Sequence, residues 1–185
     1  TGRMDLGQRA SVRADTDLIS RGGTITGGDV ALVAGRDLKL ESATTTTRTA
    51  TAYDFGKKNF GTASSTTTTN RGSLVDVTGN LTLVAGRQIE IKGSTVNAGS
   101  NLFAYGNDGI AIVSAVDSSS SQSAGRSGKT TFSNSATSTT DILSNINVGG
   151  NATLATDGTL DVKGANVVTG GALVADAAKI NVEAV

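Results

Sequence analysis

Few residues in this chain have the types and spacing that chemistry needs. Ser127-Gly128-Lys129-Thr130 imitates the end of a phosphate-binding loop, G-x-x-x-x-G-K-[ST], in which backbone amides and the lysine cradle phosphates. The loop's first glycine should stand at position 123, which is Ser123, and no apolar strand precedes or helix follows, so the reading is set aside. Acid–base or calcium-assisted attack on a polysaccharide needs two or three carboxylates converging on one face. The aligned positions run Asp17, Asp37, Gln88, Asp108 and Gly158, which is not a maintained column, and Asp15, Asp17, Asp29 and Asp37 read as solvated corner residues. With no His and no Cys, nucleophilic triads and the usual zinc sites are also out. No catalytic, cofactor-binding or metal residue is assigned. Arg36 and Arg87, at one corner of two repeats, read as solvent-facing, and the glycosylation-like Asn80-Leu81-Thr82 and Asn151-Ala152-Thr153 carry no weight.

The residues best suited to meet a partner are aromatic and cationic. Tyr53, Phe55, Phe60 and Phe132 all lie in two polar segments, beside Lys57, Lys58 and Lys129. At a projecting tip, such a set can dock on a partner surface or a lipid headgroup layer, where ring and cation both find a place. The competing reading has the rings packing across their own hairpins or a neighbouring one.

The elements that position these residues come from a repeat. Gly79 to Gly99, G-N-L-T-L-V-A-G-R-Q-I-E-I-K-G-S-T-V-N-A-G, alternates Leu81 and Leu83, then Ile89 and Ile91, then Val96 and Ala98, with two glycine corners between the runs. Three short strands in about 20 residues make one turn of a parallel β-solenoid, whose inward side chains are buried only when another coil stacks on it. Gln8 to Gly27 is a degenerate copy, and residues 1 to 7 form a frayed or partial coil. Further copies open at Gly28, Ser100, Gly150 and Gly170, the last with Ala172, Val174, Ile180 and Val182 inward. The expected fold class is all-β, a parallel β-solenoid of about six coils, about 29 Å long at strand spacing of about 4.8 Å.

Two coils are interrupted after their second strand, by residues 42–72 and 114–144. An offset of 72 superposes Gly56-Lys57-Lys58-Asn59-Phe60 on Gly128-Lys129-Thr130-Thr131-Phe132 between Thr/Ser-rich arms. Long β-hairpins are the natural reading, and disordered loops the competing one. Two coils advance about 9.6 Å, the width of one hairpin, so successive hairpins can pair side by side into a continuous antiparallel sheet flanking the solenoid. The chain is thus one β-helix segment with two excursions. It starts inside one repeat and stops inside another, where a third excursion is due, as though excised from a longer array.

Composition agrees. The absence of Pro and the presence of 24 Gly suit unbroken ladders turned at tight corners, and a net charge of +0 gives no footprint for nucleic acid. No apolar run reaches the roughly 18 residues of a membrane span, and the N-terminal residues lack signal-peptide anatomy. The lack of Cys is compatible with export through an oxidising periplasm.

The phrases G-D-V-A-L-V-A-G-R-D-L-K-L and G-N-L-T-L-V-A-G-R-Q-I-E-I-K-G-S-T-V-N-A-G resemble the haemagglutinin repeats of the filamentous haemagglutinin family, particularly the second repeat block of contact-dependent growth inhibition exoproteins. The resemblance spans essentially the whole chain. It implies a right-handed parallel β-helix, secreted through the outer-membrane transporter of a two-partner secretion system to the surface of a Gram-negative bacterium. It further implies a non-enzymatic stalk that meets a target cell's outer membrane or a surface receptor during delivery of a C-terminal toxin. Separately, exposed coil ends are expected to allow end-to-end self-association. An inert adhesin spacer is the alternative within this class, and a carbohydrate-active β-helix enzyme the alternative outside it.

Overall fold

Alternating apolar and polar residues bounded by glycine corners fold here into short strands that return above one another. A computed structural model describes residues 2–185. In chain order the strands are β1 (Arg3–Asp5), β2 (Arg9–Ala14), β3 (Leu18–Arg21), β4 (Thr24–Gly27), β5 (Asp29–Ala34) and β6 (Leu38–Glu41). The long β7 (Ala43–Asp54) and β8 (Asn59–Arg71) follow, then β9 (Leu74–Val77), β10 (Leu81–Ala85), β11 (Gln88–Lys92) and β12 (Thr95–Ala98). After β13 (Leu102–Gly106) and β14 (Gly109–Val113) come the long β15 (Ala115–Ser127) and β16 (Thr130–Ile142). The chain closes with β17 (Ser144–Val148), β18 (Ala152–Lys163), β19 (Ala165–Thr169) and β20 (Leu173–Glu183). Of residues 1–7, Thr1 lies outside the described residues and β1 pairs with β4 as a partial coil.

The chain packs as two units, one made of the residues up to Ala43 with Arg71–Ala115 and Asp141–Val185, the other of Thr44–Asn70 and Val116–Thr140. The first unit is a parallel β-helix. Its third strands stack as β1-β4-β9-β12-β17-β19, and its first and second strands form two further parallel stacks that β18 joins by running through its corner. Parallel in-register pairing puts like residues above one another. Leu83 pairs with Leu32 and Ala104, Ile91 with Leu40 and Ile112, and Val96 with Val75 and Ile146. All are buried and join one core. Burying each large aliphatic chain is worth about 1.5–3 kcal/mol, so the ladders supply the main cohesion.

One expectation is corrected in the last coil. Leu173 pairs with Ala152 and Ala175 with Leu154, so Leu173 and Ala175 face inward, while Val174 pairs with the outward Thr153. Gly171, not Gly170, is the counterpart of Gly150, and the alternation shifts by one residue.

The plain-coil corner beside each excursion is glycine for a steric reason. Gly93 turns its corner at φ +52°, and a Cβ there would lie 2.5 Å from the Cβ of Ala115, the first residue of β15. Gly22 stands in the same relation to Ala43, the first residue of β7. A side chain at either corner would meet the chain leaving on its excursion in the adjoining coil.

The second unit holds the excursions. β7 and β8 form one hairpin, with the Thr44 hydroxyl donating to Asn70 Oδ1 at 2.7 Å, and β15 and β16 form the other. β8 and β15 pair antiparallel from Ser118–Thr68 to Ser127–Asn59, giving a four-stranded sheet in the order β16-β15-β8-β7.

Candidate functional site

The sequence-predicted contact residues gather at the turn end of the hairpin sheet. In the first turn the Asp54 carboxylate accepts the Gly56 amide at 2.8 Å, and Phe55 N–H donates to the Asn59 carbonyl at 2.7 Å. The second turn is the two-residue Gly128–Lys129, with Gly128 at φ +63° and Lys129 at ordinary negative φ, as a type II′ turn needs. The Gly128 amide donates to the Lys58 carbonyl at 2.7 Å, so the two turns are tied together.

The rings do not form one cluster. Tyr53 and Phe55 are in contact, with centroids 5.9 Å apart. Gly61 and Gly125 are direct cross-strand partners, and a Cβ on Gly61 would lie 2.6 Å from the Tyr53 hydroxyl, one on Gly125 2.9 Å from Phe132 Cζ. Tyr53 and Phe132 thus lie over two bare glycine positions on one face, and ring packing replaces the missing side chains. Phe60 pairs with Arg126 in the adjoining row and, by strand alternation, occupies the opposite face. Phe132 is half-buried, Tyr53 and Phe60 are 38% and 44% exposed, and Phe55 at the extreme turn is 80% exposed. The packing reading therefore accounts for Tyr53 and Phe132, and leaves Phe55 and Phe60 open to solvent.

Lys57, Lys58 and Lys129 are exposed, and among the described residues none is in an ion pair. Arg126 adds a fourth cation, its Nε donating to the Gly128 carbonyl at 3.0 Å. Sequence reading missed Arg126 and the glycine pair. The 72-residue offset held the signal, since it places Gly125 on Tyr53 and Arg126 on Asp54. The arrangement presents a positively charged edge with two rings open to solvent, Phe55 and Phe60, suited to an anionic or amphipathic surface.

The acidic corners do structural work instead. Arg36 Nε donates to Asp17 Oδ1 at 2.8 Å, and this bond lowers the Asp17 pKa to about 2. Arg87 Nε lies 3.3 Å from Asp37 Oδ1. Both arginines face solvent at their corners, as expected, and each also clamps its coil to the coil before it. Asp29 accepts the Asn80 amide at 2.8 Å, Asn80 that of Asn101 at 3.2 Å, Asn101 that of Asn151 at 2.9 Å, and Asn151 that of Ala172 at 2.8 Å. The two asparagines given no weight as sequons are rungs of this ladder. Among the described residues no three His, Cys, Asp or Glu side chains converge as a metal-holding group.

The hemagglutinin repeat family model matches residues 1–60, 53–135 and 123–185. No curated protein and no solved structure matches the chain. The chain belongs to the hemagglutinin repeat family, whose members are secreted surface adhesins of structural rather than known enzymatic character.

Proposed function

We propose that this hemagglutinin-repeat segment is a non-enzymatic stalk section of a secreted filamentous adhesin or contact-dependent inhibition protein, and that its hairpin turns contact the target cell's outer membrane during toxin delivery. The observation that carries the contact reading is the tip. Phe55 stands 80% exposed beside Lys57, Lys58 and Lys129, at the end of a sheet otherwise covered by Ser and Thr. An exposed ring costs solubility unless it meets a surface, and three unpaired cations favour an anionic one. Support for the stalk comes from the continuous aliphatic ladders, and from apolar coils left open at either end of the stack, Met4 at one and Leu173 and Ile180 at the other. Such ends suit stacking on further coils of a longer array, and end-to-end self-association when none is present. Its parent reaches the Gram-negative surface through the transporter of a two-partner secretion system, the route in keeping with the family.

Flotation with vesicles of outer-membrane lipid extract tests the contact. The wild-type chain is expected to float, and a Phe55→Ser, Phe60→Ser variant and a Lys57→Gln, Lys58→Gln, Lys129→Gln variant to stay in the pellet fraction, with unchanged circular dichroism. Equal flotation of all three would remove the tip from the function. Flotation by none would leave the inert spacer as the better reading.

A further inference from the structure

The two hairpins are joined by an interface whose sides differ: β8 is the second strand of its hairpin, and β15 the first strand of the next. Because the 72-residue offset superposes the hairpins, β7 is the counterpart of β15 and β16 the counterpart of β8. The sheet order β16-β15-β8-β7 leaves those counterparts as its two outer strands. A head-to-tail interface that does not close on itself always exposes one more copy of each side.

Neither outer strand carries the devices that discourage pairing. Natural edges are blunted by proline, by inward or closely spaced charges, or by brevity. Here β7 spans twelve residues with Arg48 its one charge before the terminal Asp54, β16 spans thirteen with Asp141 its only charge, and the chain has no proline. Both are rich in Thr and Ser, as are the paired β8 and β15, so the side chains that flank the existing ladder also flank the free edges.

We propose that the hairpin sheet is a self-association surface, β16 of one copy of this chain pairing antiparallel with β7 of a second copy in continuation of the β15–β8 ladder. The assembly is open-ended, so its size grows with concentration instead of stopping at a dimer. The pairing Ser118–Thr68 has Thr46 and Thr140 as its counterparts under the offset, which fixes the expected contact within a residue.

Cysteine cross-linking tests this cleanly because the chain has no Cys of its own. A Thr46→Cys variant is combined with Thr139→Cys or Thr140→Cys and oxidised. Within one sheet β7 and β16 are three strand spacings apart, about 14 Å, beyond the roughly 7 Å that a disulfide spans, so any bond formed joins two copies. A series of disulfide-linked oligomers is expected from at least one of these pairs, and none from Thr46→Cys with Thr82→Cys, on the solenoid. Sedimentation velocity of the cysteine-free chain should give a mass that rises with concentration, and Ala136→Pro in β16 should reduce that rise. No cross-link above the Thr82 control, or a monomer at every concentration, would overturn the proposal. So would self-association that Ala136→Pro leaves intact, which would assign it to the open ends of the coil stack.

Discussion

Replacing Gly93 with alanine probes the steric requirement for glycine at the corner beside an excursion. Two costs are expected. Left-handed backbone at φ +52° disfavours any residue with a Cβ by about 1–2 kcal/mol. The new Cβ, 2.5 Å from the buried Ala115 Cβ, adds overpacking of about 1–3 kcal/mol. Gly93→Ala should therefore lose about 2–5 kcal/mol in urea melts followed by far-ultraviolet circular dichroism. The informative comparison is the double-mutant cycle with Ala115→Gly, because it removes the contact and keeps the backbone strain. The coupling between the two changes should be favourable by about 1–3 kcal/mol. Gly7→Ala, at φ +65° with nothing within 4 Å of its Cβ position, should cost only the conformational part. A coupling below about 0.5 kcal/mol would refute the steric account and leave the positive φ as the sole reason for glycine there.

Asn101→Ala removes the acceptor of the exposed Asn151 amide and should cost about 0.5–1.5 kcal/mol, read as a lowered midpoint in the same melts. Ser144, fully buried, donates to the Val113 carbonyl at 2.6 Å, and Ser144→Ala should destabilise by more, about 1–3 kcal/mol, whereas Ser138→Ala on the exposed β16 should be nearly silent. Because Arg36 lowers the Asp17 pKa from 3.8 to about 2, the pair's contribution is fully present above pH 3.8 and is lost as pH falls toward 2. Melts from pH 2 to 6 should accordingly show wild type and Asp17→Asn differing most above pH 4 and converging at the acid end.

The coil architecture was legible because a solenoid writes the same instruction repeatedly. Leu81, Leu83, Ile89 and Ile91 define the inward positions, and in-register pairing makes every other coil obey them. Legibility failed at the last coil, where Gly170 and Gly171 offered two equivalent starting points and only the β18–β20 pairing chose between them. At the hairpin turns the residue types were evident, but their grouping was not. Whether Phe60 joins Tyr53 depends on strand register, and a three-residue connection in the first hairpin against two in the second is not announced by the shared Gly-Lys-x-x-Phe text. The partners of Arg36 and Arg87 were hidden for another reason. Asp17 lies 19 residues from Arg36, and Asp37 lies 50 residues from Arg87 across a whole excursion, so adjacent text gave no hint of the clamp.

The asparagine ladder gives the stack a polarity that shape alone does not. Every rung, from Asp29 through Asn80 and Asn101 to Asn151, offers its side-chain oxygen to the amide of the coil that follows and never to the coil before. A finished coil thus presents a ready acceptor to the chain still arriving. Addition at the C-terminal end forms a bond at once, while addition at the N-terminal end must bring its own acceptor. The acceptors of this ladder therefore all face the C-terminal end of the stack, and a coil that packs there finds a hydrogen-bond partner already in place.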